Sequence, residues 1–335
     1  MESSNADISI LAIGRPVASQ LKEKLERSLL RPSTGQRYLP SAVLWGDDSA
    51  LKLFEKYSAL PEYYATRDEI SLLQHWSTDI AGHVAPGSVL VDLGCGDVNK
   101  VKPFLDALEA SHKPVKYYAL DLSELALKRN LEKLQAACYK HVACNGLWGT
   151  FDDARKWATD VSEPIWYMSL GSIFGNDEFD VAVRDLRTWS NAMRPQDYML
   201  LGVDGCPDKE RIWRSLNTPI PGMPNLVEHG LALSNTILGH TWYRPEEWEV
   251  FGVCEQLGPV CTHQWVIRAL KDTACDALGF HASKGDEIYT VKWFRWGPDG
   301  MKKQFDHSDF EQVASWKSPT GPVYQYLVRP AKMAN

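Results

Sequence analysis

The most constraining stretch of this 335-residue chain is V-L-V-D-L-G-C-G at residues 89–96, an apolar run that continues into an acid and two glycines. Such a run is typical of a strand buried on both faces of a sheet. Gly94 and Gly96 permit a tight turn and let a ligand approach the backbone, because they carry no Cβ atom. A second apolar run ends at Asp121, where a carboxylate at a strand's carboxyl end is placed to bind the two hydroxyls of a ribose. Together these features predict a nucleotide-type ligand at one edge of a parallel sheet.

Five predicted strands alternate with four predicted helices through the middle of the chain. The strands are expected at 88–93, 115–121, 140–144, 165–170 and 197–203, and the helices at 100–110, 123–137, 152–159 and 177–193. Ser123 is the expected N-cap of the second helix. This alternation predicts an α/β fold with a Rossmann-like, mostly parallel, doubly wound sheet covered on both faces.

The flanking regions predict a second, smaller domain. A helix is expected near 17–30. After Gly205 the composition changes to a proline-bearing region, with helices expected near 208–216 and 225–237. Later expected elements are a strand pair at 262–271 and 286–296, a helix at 308–315 and a strand at 323–329. The predicted divisions are an N-terminal segment 1–60, a nucleotide-binding core 61–204, a substrate-binding domain 205–285, and C-terminal strands 286–335 that return to the core sheet.

Thr66 and Glu69 have the spacing of a capping box. An apolar stripe that includes Ile70, Leu73 and Ile80 follows them. The pattern therefore predicts a helix that begins at this point, with Glu69 serving its first turn.

Composition narrows the choice of partners. A net charge of -7 argues against nucleic acid, because no stripe of lysine and arginine stands out to neutralise phosphates. No run of about 18 apolar residues predicts a membrane span, and the N-terminus has no signal-peptide pattern. Seven cysteines without a ligand-type spacing predict reduced thiols and no metal site. A small-molecule partner and a cytoplasmic location are expected, and the oligomeric state is left open.

The glycine loop with Asp121 resembles a class I S-adenosylmethionine (SAM) site. Four segments in the same order resemble the histidine-specific methyltransferase family, the group of ergothioneine-pathway enzymes that includes the fungal dimethylallyltryptophan N-methyltransferases of ergot alkaloid synthesis. The segments are L-P-E-Y-Y-A-T-R-D-E (60–69), D-L-G-C-G-D-V-N-K (92–100), Y-A-L-D-L-S (118–123) and L-G-S-I-F-G-N (170–176).

The resemblance implies SAM as cofactor and a set of site residues. Lys100 is expected near the methionine carboxylate, and Asp121 on the ribose. The implied cofactor-binding residues are Asp92, Gly94, Gly96, Lys100, Asp121, Thr150, Phe151 and Gly171. Tyr63 and Asn176 match the family's substrate-facing tyrosine and asparagine, and are the implied catalytic and substrate-binding pair.

The chain departs from the family pattern on the acceptor side. Where amino-acid-selective members show I-x-x-E-x-S-x-K, this chain has Val291 in place of the glutamate and Trp293 in place of the serine. Leu216 stands where the family has a tyrosine of the second domain, and Trp45 is expected to replace the family's usual tyrosine over the cofactor. Leu216, Val291 and Trp293 are therefore expected to form a rebuilt substrate pocket.

These features favour a SAM-dependent N-methyltransferase of a small amine-bearing metabolite, aromatic or derived from an indole or amino acid, in secondary metabolism. Two alternatives stay open at this point. One is a methyltransferase-like subunit without catalysis that binds or regulates a partner. The other is a nicotinamide-dependent oxidoreductase, although its G-x-G-x-x-G fingerprint would need a glycine where Asn99 stands. The acceptor, the number of methyl groups and the choice of nitrogen or oxygen are left open.

Overall fold

The structure is a computed structural model that describes residues 8–14, 18–32, 35–217 and 222–331. Its helices are α1 (Ala18–Leu25), α2 (Ser41–Leu44), α3 (Asp48–Ser58), α4 (Tyr64–Gly82), α5 (Lys102–Ala110), α6 (Glu124–Gln135), α7 (Phe151–Ala158), α8 (Phe179–Ala192), α9 (Lys209–Leu216), α10 (Met223–Leu238) and α11 (Pro298–His307). Its strands are β1 (Ile10–Ala12), β2 (Arg37–Tyr38), β3 (Val89–Leu93), β4 (Val115–Asp121), β5 (Val142–Trp148), β6 (Ile165–Ser169), β7 (Tyr198–Asp204), β8 (Trp248–Leu257), β9 (Val260–Ala269), β10 (Thr273–Cys275), β11 (Phe280–Ala282), β12 (Glu287–Arg295), β13 (Phe310–Lys317) and β14 (Val323–Pro330).

The chain divides into two compact units. The first unit comprises Met1–Arg15, Ala65–Gly205 and Trp296–Asn335, and the second comprises Pro16–Tyr64 and Cys206–Arg295. Because each unit draws on separated stretches of sequence, the linear divisions expected from composition do not describe them. The predicted N-terminal segment 1–60, for example, contributes to both units.

An eight-stranded sheet forms the centre of the first unit. Its order is β1-β5-β4-β3-β6-β7-β14-β13. The pairs from β1 to β7 are parallel, whereas β14 is antiparallel to both β7 and β13. The chain reverses its direction of travel across the sheet between β3 and β6, and ligands of open α/β sheets bind at such a switch point. The predicted doubly wound α/β fold is confirmed.

Local sequence explains why these elements form. All five residues of β3 and all five of β6 are buried, as expected for strands covered on both faces. Helix α6 begins at Ser123, whose hydroxyl accepts a hydrogen bond from Ala126 N at 3.1 Å, so the predicted N-cap is confirmed. The two core layers pack on opposite faces of the sheet, with Phe104 on one side and Trp189 on the other.

The second unit contains a four-stranded sheet of order β2-β12-β9-β8. Large aromatic side chains fill its core, and Trp242 packs with Phe280 and Trp248 at ring-centroid distances of 5.0 and 5.7 Å. Pairs of this kind stabilise a core beyond the area that they bury.

Two predictions for the C-terminal part are wrong, and one strand was missed. Strand β12 does not return to the core sheet but pairs with β9 and β2 in the second unit, and only β13 and β14 return. Residues 310–317 form a strand, because they pair along β14, and the helix lies instead at Pro298–His307. Strand β8 was not predicted at all. Pairing with β14 overrode the local helical pattern of residues 310–317.

Within the described parts of the chain, none of the helices combines the length and the apolar character that crossing a membrane requires.

Candidate functional site

The glycine loop after β3 adopts the left-handed backbone that its sequence predicts. Gly94 has a φ of 67° and Gly96 a φ of 55°. A Cβ atom at Gly94 would lie 3.2 Å from Ile173 Cδ1 and 3.6 Å from Phe151 Cζ. The Asn130 side chain donates a hydrogen bond to Gly96 O at 2.5 Å and so ties the loop to α6. The loop is therefore a fixed, narrow backbone surface that the side chains of Ile173 and Phe151 approach.

Asp121 ends β4 beside this loop. One carboxylate oxygen accepts a hydrogen bond from Ser123 N at 3.1 Å, and the other lies 3.9 Å from Cys95 Sγ. Burial raises the pKa of Asp121, while the backbone N–H groups of Ser123, Gly96 and Leu122 partly offset that rise. The carboxylate is thus held in a defined orientation at the carboxyl end of the sheet, where ligands of open α/β sheets bind.

Asp92, one of the expected cofactor-binding residues, is almost completely buried. It is 1% exposed, and its Oδ2 accepts a hydrogen bond from Tyr117 OH at 2.8 Å. Its Oδ1 is buried without a hydrogen-bond partner among the described residues. Burial raises the pKa of Asp92 to about 6, opposed by Tyr117 and Lys100 and assisted by Glu69 and Asp121.

This raised pKa predicts a pH dependence of stability. A carboxyl that is harder to ionise in the folded than in the unfolded chain stabilises the fold at low pH, and this contribution is lost as the pH rises through about 6. Asn at position 92 does not titrate. The free energy of unfolding of the wild type, relative to that of Asp92→Asn, is expected to fall by about 1 kcal/mol between pH 5 and pH 7.5. Urea denaturation of both proteins at both pH values measures this, and a constant difference would contradict a raised pKa.

Lys100, the last residue of the segment 92–100, lies beside Glu69 and Gly171. Its Nζ lies 3.5 Å from Glu69 Oε2, and its side chain is 15% exposed. A Cβ atom at Gly171, which has a φ of 85°, would lie 2.8 Å from the same nitrogen. The structure thus brings the predicted residues Lys100 and Gly171 together and adds Glu69 to them.

The predicted capping box at Thr66 and Glu69 is wrong. Helix α4 already begins at Tyr64, and the Glu69 carboxylate accepts hydrogen bonds from Gly171 N and Gln325 Nε2, both at 2.9 Å. Capping-box spacing describes only local backbone, whereas these partners come from a loop and from β14. Because these partners are distant in the chain, no local sequence pattern indicated this role of Glu69.

Thr150 and Phe151 stand at the start of α7. The Thr150 hydroxyl accepts a hydrogen bond from Asp153 N and donates one to Asp153 Oδ2, so it caps the helix. Its side chain is therefore already engaged, whereas the Phe151 ring approaches the glycine loop and lies 5.5 Å from the ring of Phe174. The aromatic face is the part of this pair that suits an adenine.

Asn176 ends the turn that follows β6. Its Nδ2 donates a hydrogen bond to Ser172 O, which fixes the side chain across the turn. Within the described residues its Oδ1 has no hydrogen-bond partner, and the side chain is partly exposed. An acceptor oxygen on an ordered turn is a suitable partner for an N–H group of a ligand.

Tyr63 belongs to an aromatic cluster of the second unit formed by Trp45, Phe54, Tyr57 and Tyr63. Ring centroids lie 4.8 Å apart for Trp45 and Phe54, and 4.6 Å apart for Tyr57 and Tyr63. The Tyr57 hydroxyl donates to Ser215 O, and burial, followed by the nearby Tyr63, raises the pKa of Tyr57 well above its usual value. Sequence reasoning singled out Tyr63 and Trp45 but missed the two aromatic side chains of α3 between them.

Val291 and Trp293 lie on β12, where the ladder with β9 is interrupted between Tyr289 and Lys292. Such a bulge redirects neighbouring side chains and is common beside binding sites. The Trp293 ring stacks on His263 at 6.2 Å, and the Arg295 guanidinium lies 6.0 Å from its centroid. Burial, followed by the charge of Arg295, lowers the pKa of His263 to about 3, so this imidazole is neutral at physiological pH.

Leu216 ends α9 and is 2% exposed. It adjoins Ser215, the hydrogen-bond partner of Tyr57. Four of the five residues expected on the substrate side, namely Tyr63, Leu216, Val291 and Trp293, lie in the second unit, and Asn176 lies in the first.

The residues of the first unit fit SAM. The glycine at position 94 leaves open a space beside Phe151 and Ile173 that a Cβ atom would enter. Asp121 would offer a carboxylate to the ribose, Lys100 an ammonium to the methionine carboxylate, and Phe151 an aromatic ring to the adenine.

Comparisons with known proteins support this reading. A family model described as histidine-specific methyltransferase, SAM-dependent, matches residues 21–330. Ergothioneine biosynthesis protein 1 of Neurospora crassa is 33% identical over 321 residues, which are 94% of this chain and 36% of that protein. N-methyltransferase dtpB of Aspergillus flavus is 34% identical over 290 residues, 83% of this chain and 81% of that protein. The chain thus spans about a third of the length of one relative and most of the other.

Among solved structures, the mitomycin 7-O-methyltransferase MmcR is similar with a TM-score of 0.38 and 14% sequence identity, covering 93% of this chain and 84% of that one. The family match extends over both units. With its glycine loop, its ordered Asp121 and its switch-point sheet, the chain belongs to the histidine-specific, SAM-dependent methyltransferase family and has a class I, Rossmann-like fold.

Proposed function

We propose that this enzyme N-methylates a small, flat, aromatic amine of secondary metabolism, derived from an indole or an amino acid. The observation that carries the proposal is the acceptor-side set of the second unit, where Val291 and Trp293 replace an acid and a hydroxyl and Trp293 stacks on a neutral imidazole. The relative dtpB is named an N-methyltransferase, and the relative easF of Claviceps purpurea, 30% identical over 207 residues, is named for 4-dimethylallyltryptophan.

Residues of the first unit hold the donor. SAM supplies an electrophilic methyl group on a sulfonium. Asp121 accepts hydrogen bonds from the ribose, Lys100 neutralises the methionine carboxylate, and the backbone at Gly94 passes close to the ligand. Catalysis by such residues is mainly positioning, because a methyl transfer needs no nucleophile from the protein.

Residues of the second unit suit an uncharged amine. An amine attacks only through its free lone pair, and an apolar environment lowers its pKa and so favours the neutral form. Val291 and the aromatic cluster provide apolar surface, and the rings hold a cationic methylated product by about 0.5 to 2 kcal/mol. In the first unit, Asn176 Oδ1 is an acceptor for an amine N–H, and such a bond would orient the lone pair of the amine away from the amide.

Asn176→Ala is expected to lower kcat about tenfold and to leave the SAM dissociation constant within about twofold, because the amide oxygen is assigned to the acceptor and not to SAM. Asn145→Ala is the matched control, since the Asn145 amide also bonds a nearby carbonyl, that of Ala143. Steady-state kinetics and calorimetry measure the two parameters. Unchanged kcat with lower thermal stability would leave Asn176 as a cap of its turn and nothing more.

A panel of amines with SAM, read by product mass, tests the proposal. We expect aromatic amines to give products heavier by one or more methyl groups, with each added methyl group on nitrogen. Methylation on oxygen would contradict the choice of acceptor atom. Binding of SAM without turnover of any member of the panel would favour the catalytically silent subunit. Membership of a SAM-dependent methyltransferase family excludes the alternative of a nicotinamide-dependent oxidoreductase.

A further inference from the structure

Glu69 is a buried carboxylate that joins three separate parts of the first unit. It is 2% exposed and lies on α4. Its Oε1 accepts hydrogen bonds from Gly171 N, on the turn after β6, and from Gln325 Nε2, on β14. Its Oε2 faces Lys100 Nζ at 3.5 Å. A buried charge is costly unless each oxygen is satisfied, and here every partner comes from a different element.

A glycine in the central sheet leaves the space that this carboxylate occupies. Gly202 lies inside β7, and a Cβ atom there would stand 2.1 Å from Glu69 Oε1 and 2.7 Å from Gln325 Nε2. A glycine within a buried strand weakens that strand, because it has no side chain to pack and loses more backbone entropy on folding. Gly202 and Gln325, a polar residue at 0% exposure, are thus both explained by the space and hydrogen bonding that Glu69 needs.

We propose that Glu69 is a positioning residue for the methyl donor: its carboxylate holds the Lys100 ammonium and the Gly171 turn in one arrangement, and Gln325 holds Glu69. The inference rests on the assignment of Lys100 to the methionine carboxylate. A lysine without this partner explores many rotamers, and binding a ligand then costs the entropy of ordering it. Glu69 therefore preorganises the part of the site that binds the amino-acid end of SAM.

Glu69→Gln separates this role from a purely structural one. Glutamine keeps an oxygen for Gly171 N–H and loses the charge that orients Lys100. The dissociation constant of SAM is expected to rise about fivefold, because an ion pair of limited exposure is lost. Binding of 5′-methylthioadenosine, which lacks the amino-acid end of SAM, is expected to change less than about twofold, since Lys100 does not touch it.

The experiment is a double-mutant cycle read by calorimetry with both ligands. The four proteins are the wild type, Glu69→Gln, Lys100→Met and the double variant. Glu109→Gln is the matched control, because the Glu109 carboxylate also accepts backbone hydrogen bonds but does so at the amino end of β5. Glu69→Gln is expected to add little once Lys100 is gone.

The results decide whether Glu69 positions Lys100 for SAM or only stabilises the fold. Equal weakening of SAM and 5′-methylthioadenosine, or an undiminished effect of Glu69→Gln in the Lys100→Met protein, would overturn the inference. Unchanged SAM affinity in Lys100→Met alone would instead overturn the assignment of Lys100. Should Glu69→Gln lack a cooperative unfolding transition, Gln325→Met takes its place in the cycle, with the same selective loss of SAM affinity expected and the same equal loss contradicting it.

Discussion

Asp121→Ala is expected to weaken SAM binding between about tenfold and about a hundredfold, the range that corresponds to losing charge-assisted hydrogen bonds to a ribose. The carboxylate is held by Ser123 N on one side and faces Cys95 on the other. Since its orientation is fixed before the ligand arrives, little of the binding energy is spent on ordering it. Calorimetric titration with SAM measures the loss.

The fold is expected to survive this substitution. Burial raises the pKa of Asp121, which means that the ionised carboxylate is held at some cost to the folded state. Asp106→Ala on α5, where the carboxylate pairs with Lys102 on the surface, is the control for loss of an acid away from the loop. A folded Asp121→Ala protein with wild-type affinity for SAM would remove the ribose assignment.

Free histidine is expected to be a poor substrate, with kcat/KM at least about a hundredfold below that of a good aromatic amine. The α-ammonium of histidine would lack a carboxylate partner in this pocket, at a cost of roughly 3 to 5 kcal/mol. Tryptamine can lose its proton and bind uncharged, whereas histidine still carries its carboxylate when its amine is deprotonated. Val291 supplies no charge that could pair with the ammonium of histidine. Kinetics with histidine and with tryptamine measure the ratio.

The reverse substitution sharpens this prediction. Val291→Glu with Trp293→Ser restores the acid and the hydroxyl of the family pattern, and is expected to raise kcat/KM for histidine by about tenfold or more. Tyr289→Phe, on the same strand and paired through its hydroxyl with Glu287, is the control. Efficient methylation of free histidine by the wild type would contradict the reading and point to another acid as the ammonium partner.

The donor half of the site could be predicted from the sequence because its signals are local. Strand β3, the glycine loop and the end of β4 lie within about 35 consecutive residues, and each carries its own pattern of apolar residues, glycines and an acid. The hydrogen bonds of Glu69 are of a different kind, since its partners Gly171 and Gln325 lie 102 and 256 residues away. No local pattern distinguishes such a residue from a helix cap.

The C-terminal strands show the same distinction. Residues 310–317 alternate too weakly to exclude a helix, and only pairing with Val323–Pro330 makes them a strand. The interruption in β12 beside Val291 is also invisible in the sequence, because it depends on the register with β9. Only half of the aromatic cluster could be predicted from the sequence. The family resemblance indicated Trp45 and Tyr63, whereas Phe54 and Tyr57 join them through the packing of α3.

A competition experiment tests most directly the claim that this methyltransferase has an acceptor pocket rebuilt for aromatic amines. Equal concentrations of free histidine and tryptamine are incubated with the enzyme and isotopically labelled SAM, and the products are identified by mass. The account predicts label on the nitrogen of the indole amine, with labelled histidine below about one hundredth of that product. Labelled histidine as the main product would contradict it.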